Sequence, residues 1–128
     1  MPFAHDRCLD YSCHVARPAP DFFKVLLDEA NYPLVFHCIA GQDRTGSVAF
    51  ILNALLGVEI EELYLDWEIS GFWNPDVNFS HEKYFDRLIA AFESLPGADM
   101  QEKVEGYVLD LGFSPAEIEK FRSMMLQE

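Results

Sequence analysis

The spacing of apolar positions changes along the chain, and each change predicts an element. Pro18-Ala19-Pro20 and Asp21 introduce Phe22, Phe23, Val25, Leu26 and Leu27, whose spacing predicts a helix to about Ala30. Asn31-Tyr32-Pro33 breaks that pattern. Leu34-Val35-Phe36-His37 is a short, apolar, partly β-branched run that reads as a buried strand, and Cys38 to Asp43 reads as a loop into a new helix. This helix runs from about Arg44 to Leu56 and stops at Gly57. It is apolar nearly all round through Val48, Ala49, Phe50, Ile51, Leu52, Ala54 and Leu55. A helix with no polar face belongs in the middle of a fold.

Beyond Gly57 the pattern is helical. Glu59 to about Trp67 is one amphipathic piece, and Ser70 to Phe79 is a loop containing Gly71, Asn74-Pro75 and Asn78. Ser80 fits the N-cap of a helix through about Leu95, which Pro96-Gly97 interrupts. Asp99 to Glu102 and Ser114 to Glu117 both match the capping-box spacing, the second with Pro115 at the first helical position; Gly112 ends the first of these two closing helices. One strand, with a second in Pro2-Phe3-Ala4, does not make a stable sheet, because strands need partners and a parallel sheet needs cover on both faces. The pattern therefore expects further strands from another chain, as in a strand-exchanged dimer or other homo-oligomer, or from residues before Met1.

Composition narrows the function classes. The 128 residues are half apolar, enough for one domain over 1–128 with a sizeable core. Nine Lys and Arg stand against twenty-two Asp and Glu, a formal charge of −13, which disfavours nucleic acid and anionic membrane surfaces as partners. The charge is uneven. Residues 1–50 hold four basic and six acidic groups, whereas 51–128 hold five and sixteen, so anion-binding chemistry belongs in the first fifty residues. No stretch approaches the roughly 18 apolar residues of a membrane span, and the start lacks the basic and apolar regions of a signal peptide, so a cytoplasmic location is expected. Cys8, Cys13 and Cys38 form neither a disulfide framework nor a zinc pattern, and at least one thiol is expected free.

The chemistry concentrates in His37-Cys38-Ile39-Ala40-Gly41-Gln42-Asp43-Arg44-Thr45-Gly46. A cysteine ending a strand, five residues, then arginine, threonine and glycine opening a helix can hold a phosphate dianion over a sulfur nucleophile. The backbone N–H groups of Ile39, Ala40, Gly41, Gln42, Asp43 and Arg44 can point inward at one anion, and the helix N-terminus adds its dipole. The same field lowers the pKa of the Cys38 thiol. Arg44 offers a planar fork for two phosphate oxygens, Thr45 can donate its hydroxyl to the sulfur, Gly41 and Gly46 permit tight turning and close approach, and His37 orients the loop through a ring hydrogen bond.

This segment resembles the His-Cys-x-x-Gly-x-x-Arg-(Ser/Thr)-Gly signature of the cysteine-dependent protein-tyrosine and dual-specificity phosphatases, especially a bacterial and fungal branch reading His-Cys-x-Ala-Gly-Lys-Asp-Arg-Thr-Gly. Leu65-Asp66-Trp67-Glu68-Ile69-Ser70 resembles that branch's Asp-Tyr-x-x-Ser segment, and Val104 to Leu126 its closing helices. The resemblance covers roughly residues 20–128. It implies a three-layer α/β fold, with a short, parallel-type sheet flanked by helices and an all-helical C-terminal part. It also implies hydrolysis of phosphomonoesters through a phosphocysteine on Cys38, with phosphotyrosine in a protein or peptide the leading substrate and no cofactor or metal. Gln42 replaces the branch's Lys, which weakens a phosphoinositide reading, and the family's first strands would lie before Met1.

The resemblance also requires an Asp that protonates the leaving oxygen and then activates water. Two residues share the role: Asp6, 32 residues before Cys38, and Asp43 within the loop, with Asp10 a distant third. Cys8 and Cys13 are more simply ordinary small residues than redox partners of Cys38. His5 and His14 read as surface or loop residues and His81 as a first-turn helix residue. Phe72, Trp73 and Phe79 read as core or interface aromatics sooner than as a substrate pocket, and Arg7 and Arg17 as exposed lone charges. The main rival from another class is a phosphate-binding module without turnover; dual-specificity and inositol-phosphate hydrolysis stay open, and a sulfurtransferase-like use of the loop is weaker.

Overall fold

The computed structural model describes residues 20–38, 43–69 and 85–126. Among them are six α-helices: α1 (Pro20–Leu26), α2 (Asp43–Leu55), α3 (Ile60–Glu68), α4 (Phe85–Glu93), α5 (Met100–Asp110) and α6 (Pro115–Met125). The expected three-layer α/β architecture is overturned here, because the described residues contain no strand and no sheet. Leu34 to His37, expected as a buried strand, forms no regular element, and only one side of it meets the core. Leu34 and Phe36 are half-buried, while Val35 is 85% exposed and His37 is exposed. A segment becomes a strand only through a hydrogen-bonded neighbour, and no described segment pairs with this one. The second expected strand, at Pro2-Phe3-Ala4, lies outside the described residues.

The helices end where local chemistry ends them. Helix α1 stops at Leu26, earlier than Ala30, because the next residues turn back onto it: the Asn31 side-chain amide donates to the Val25 carbonyl at 2.9 Å and the Tyr32 hydroxyl to the Leu26 carbonyl at 2.7 Å. A 3-10 turn at Glu29–Asn31 and a cis Tyr32–Pro33 bond follow. Helix α2 closes at Gly57, whose φ of +83° suits glycine. Its last carbonyls gain distant partners. Gln101 Nε2 and Arg122 Nε both donate to the Leu55 carbonyl, at 3.0 and 2.9 Å, and Arg122 also pairs with Glu105 and Glu119 at 2.7 and 2.6 Å. A cation at this end also complements the helix dipole.

Helix α2 is the axis of the bundle, packing on α3 and α5, while α4 packs on α5. Val48, Phe50, Ile51, Leu52, Ala54 and Leu55 are all buried, as a helix without a polar face requires. Aromatic rings tie the helices together. Phe85 of α4 meets Phe50 of α2 and Tyr64 of α3 edge-on, at centroid distances of 5.7 and 4.8 Å, and Phe50 tilts against Phe92 at 5.3 Å. Phe36 meets Phe22 of α1 edge-on at 5.7 Å, which anchors the chain two residues before Cys38. Such pairs contribute beyond the area they bury.

Candidate active site

Cys38 follows the anchored Phe36, and α2 begins five residues later at Asp43. Thr45 and Cys38 face one another across this span. The Thr45 hydroxyl donates to Cys38 Sγ at 3.0 Å, across seven positions of sequence. Cys38 is half-buried. Hydrogen bonding to a sulfur favours its charged form, and the first turn of α2 brings N–H groups that have no intrahelical acceptor.

His37 acts on the backbone beside the sulfur. Its Nδ1 lies 3.1 Å from the Cys38 carbonyl oxygen, and since a carbonyl only accepts, the ring carries its proton on Nδ1 for this bond. Arg44, half-exposed in the first turn of α2, makes no ion pair among the described residues. Asp43 is the first residue of α2; its Oδ1 is buried and has no hydrogen-bond partner, while its carbonyl accepts from the Ser47 hydroxyl at 2.7 Å. Ile39, Ala40, Gly41 and Gln42 lie outside the described residues, as do Asp6, Asp10, Cys8, Cys13, Phe72, Trp73 and Phe79.

Of the two uses expected for Gly46, tight turning and close approach, the second is the one seen. It lies inside α2, and a Cβ built there would stand 2.6 Å from Cζ3 and 2.9 Å from Cε3 of Trp67, so its role is close approach and not turning. Trp67 and Ser47 were not expected at the site. Ser47, only 2% exposed, is a hydroxyl on a helix whose interior is otherwise apolar, and that placement is its signal. The signal for Trp67 is indirect: a glycine inside a helix is disfavoured by about 1 kcal/mol against alanine and needs a packing reason.

A cleft of about 330 Å³ opens beside Gly57, Val58, Glu59, Glu93 and Lys103, at the far end of α2. At 1.5 Å per residue that is roughly 20 Å along the helix from Asp43. No described helix is long and apolar enough to cross a membrane.

No curated protein and no solved structure matches the chain. A family model does, that of the tyrosine phosphatase family, over residues 5–127. Cys38, Arg44 and Thr45 fall within that span, and the sulfur and hydroxyl stand in hydrogen-bond contact. The chain belongs to the tyrosine phosphatase family.

Proposed function

We propose that this phosphatase-family chain hydrolyses phosphomonoesters through a covalent phosphocysteine on Cys38, with phosphotyrosine in a protein or peptide as substrate. The observation that carries this reading is the Thr45 hydroxyl on Cys38 Sγ at 3.0 Å, with Arg44 adjacent at the N-terminus of α2. The thiolate attacks phosphorus, the S–P bond forms and the bond to the leaving oxygen breaks while a carboxylic acid protonates that oxygen. Water then attacks phosphorus, giving its proton to the same carboxylate; the S–P bond breaks and inorganic phosphate leaves. Arg44 and the amides of 39–44 hold the equatorial oxygens throughout, and Thr45 steadies the sulfur as attacker and as leaving group.

Two carboxylates compete for the acid–base role. Asp43 is supported by its buried, unpartnered Oδ1 at the start of α2. Asp6 retains the support of its spacing from Cys38. Gln42 in place of lysine, together with the −13 charge, favours a phosphoprotein over a phosphoinositide in a membrane.

The test is hydrolysis of an aryl phosphate and a phosphotyrosine peptide by the wild type and by Cys38→Ser, Asp43→Asn and Asp6→Asn. Cys38→Ser abolishes turnover, and the variant of the true acid lowers kcat by about 10²-fold or more and flattens one limb of the pH profile. Vanadate binding without Cys38-dependent turnover would make the chain a phosphate-binding module and overturn the enzyme reading. Faster turnover of an inositol phosphate or phosphoserine peptide would overturn the substrate assignment alone.

A further inference from the structure

We infer that Trp67 is a positioning residue for the reacting sulfur: its indole ring, packed on Gly46, sets where the first turn of α2 stands and so holds Thr45 against Cys38. The inference concerns the site proposed above, but its central measurements need no turnover.

The indole fills the space that any side chain at position 46 would need, with ring carbons 2.6 and 2.9 Å from the place of a Cβ. Trp67 is itself buried, only 5% exposed. The indole also stacks on Phe85, at 4.9 Å with an interplanar angle of 23°, and Phe85 is wholly buried. Phe85 in turn meets Phe50 edge-on at 5.7 Å. Phe50 is one turn beyond Gly46 on the same helix. The contacts therefore close a ring, from α2 to α3 to α4 and back to α2, and the indole is the wedge that the ring presses onto the first turn. Closely packed interiors transmit small displacements instead of absorbing them.

Arg44 and Thr45 directly precede Gly46, so a shift of the first turn moves both. The hydroxyl–sulfur contact at 3.0 Å has little room. A shift toward or away from the sulfur loses the donor that stabilises the thiolate and turns the Arg44 fork from its anion. Trp67 touches neither sulfur nor phosphate in this account; it acts through α2.

The experiment uses the full chain with Gly46→Ala, Trp67→Leu, Trp67→Phe and the double variant Gly46→Ala/Trp67→Leu. Three quantities are read: the pH midpoint of Cys38 alkylation by iodoacetamide, followed at the Cys38 peptide by mass spectrometry; the Kd for orthovanadate; and Tm. Gly46→Ala moves the alkylation midpoint upward by about one pH unit and weakens vanadate about tenfold. In the double variant the new methyl occupies the space the indole leaves, and at least half of both changes is recovered. Trp67→Phe gives a smaller change in the same direction as Gly46→Ala.

A lower Tm in the Trp67 variants with the midpoint within about 0.3 pH unit and Kd within about twofold of wild type would make Trp67 a core residue only and overturn the inference. So would a Gly46→Ala defect that Trp67→Leu fails to relieve. If Gly46→Ala does not fold, Trp67→Phe and Trp67→Leu decide by the same criterion. Loss of the phosphatase reading appears separately, as absent Cys38-dependent turnover with the alkylation shifts intact.

Discussion

Thr45 spends its hydroxyl on a sulfur and not on a helix carbonyl, which is where a threonine in a first turn can otherwise direct it. That choice links one side chain to the protonation state of another. A hydrogen bond to a charged acceptor contributes about 1.5–3 kcal/mol, and part of that is lost to solvent at a half-buried sulfur. Removing it in Thr45→Ala therefore raises the pH midpoint of Cys38 alkylation by about one pH unit. It also lowers kcat by about tenfold, since the thiolate leaves in the second step without its donor. Thr45→Ser keeps both close to wild type. Equal alkylation profiles for Thr45→Ala and wild type would show that the contact does nothing for the thiolate. His37 differs in kind. Its bond goes to the Cys38 carbonyl, so it orients backbone and leaves the charge on sulfur to other groups.

At the scale of elements, two caps of similar sequence behave differently. Ser114 and Glu117 form the full reciprocal box, with the Glu117 N–H on Ser114 Oγ at 3.2 Å and the Ser114 N–H on Glu117 Oε2 at 2.8 Å. Asp99 accepts from the Glu102 N–H at 2.9 Å, but the Glu102 carboxylate reaches past the cap to the Ala98 N–H at 2.8 Å. In Ser114→Ala the Glu117 N–H loses its acceptor and the reciprocal lock opens, so urea unfolding shows a loss of about 1 kcal/mol. Asp99→Ala loses less than Ser114→Ala, because Glu102 still ties the chain before α5; the reverse order would contradict the role given to the reciprocal bond. These ends were legible in the sequence because capping is local, decided by residues three or four apart, and so were the stops at Gly57 and Gly112. The Thr45–Cys38 contact was legible too, because a helix start and a short loop fix its reach. The sheet was not. Leu34 to His37 has strand composition, but pairing belongs to whichever segment lies alongside, and composition does not name it. The Trp67–Gly46 contact escaped for the same reason, since twenty-one positions separate residues that only the packing of α3 on α2 brings together.

The whole molecule carries an excess of negative charge, and its response to alkali follows from two phenols set within it. Tyr64 is held above the ordinary tyrosine value of 10.0 first by burial, then by the charge and hydrogen-bond acceptance of Asp86, then by the charge of Glu93. Its hydroxyl donates to Asp86 Oδ1 at 3.4 Å. Tyr32 is raised by burial, with its hydroxyl on the Leu26 carbonyl. Both phenols hold their protons more tightly in the folded chain than in the unfolded one. The stability they contribute is therefore fully present below pH 10 and is lost as pH rises through their raised folded values. The denaturation midpoint is expected to be insensitive to these groups below pH 10 and to fall above it. Tyr32→Phe and Tyr64→Phe each remove part of that slope. Salt separates their causes. Added chloride at a few tenths molar, where the Debye length falls to about 5–6 Å, weakens the repulsion of the Tyr64 phenolate by Asp86 and Glu93. It leaves the burial of Tyr32 untouched. In Tyr32→Phe the alkaline slope that remains should flatten with salt, whereas in Tyr64→Phe it should persist. A Tyr32→Phe/Tyr64→Phe variant that unfolds above pH 10 as steeply as wild type would place the alkaline sensitivity in the general charge of −13 and not in these two rings.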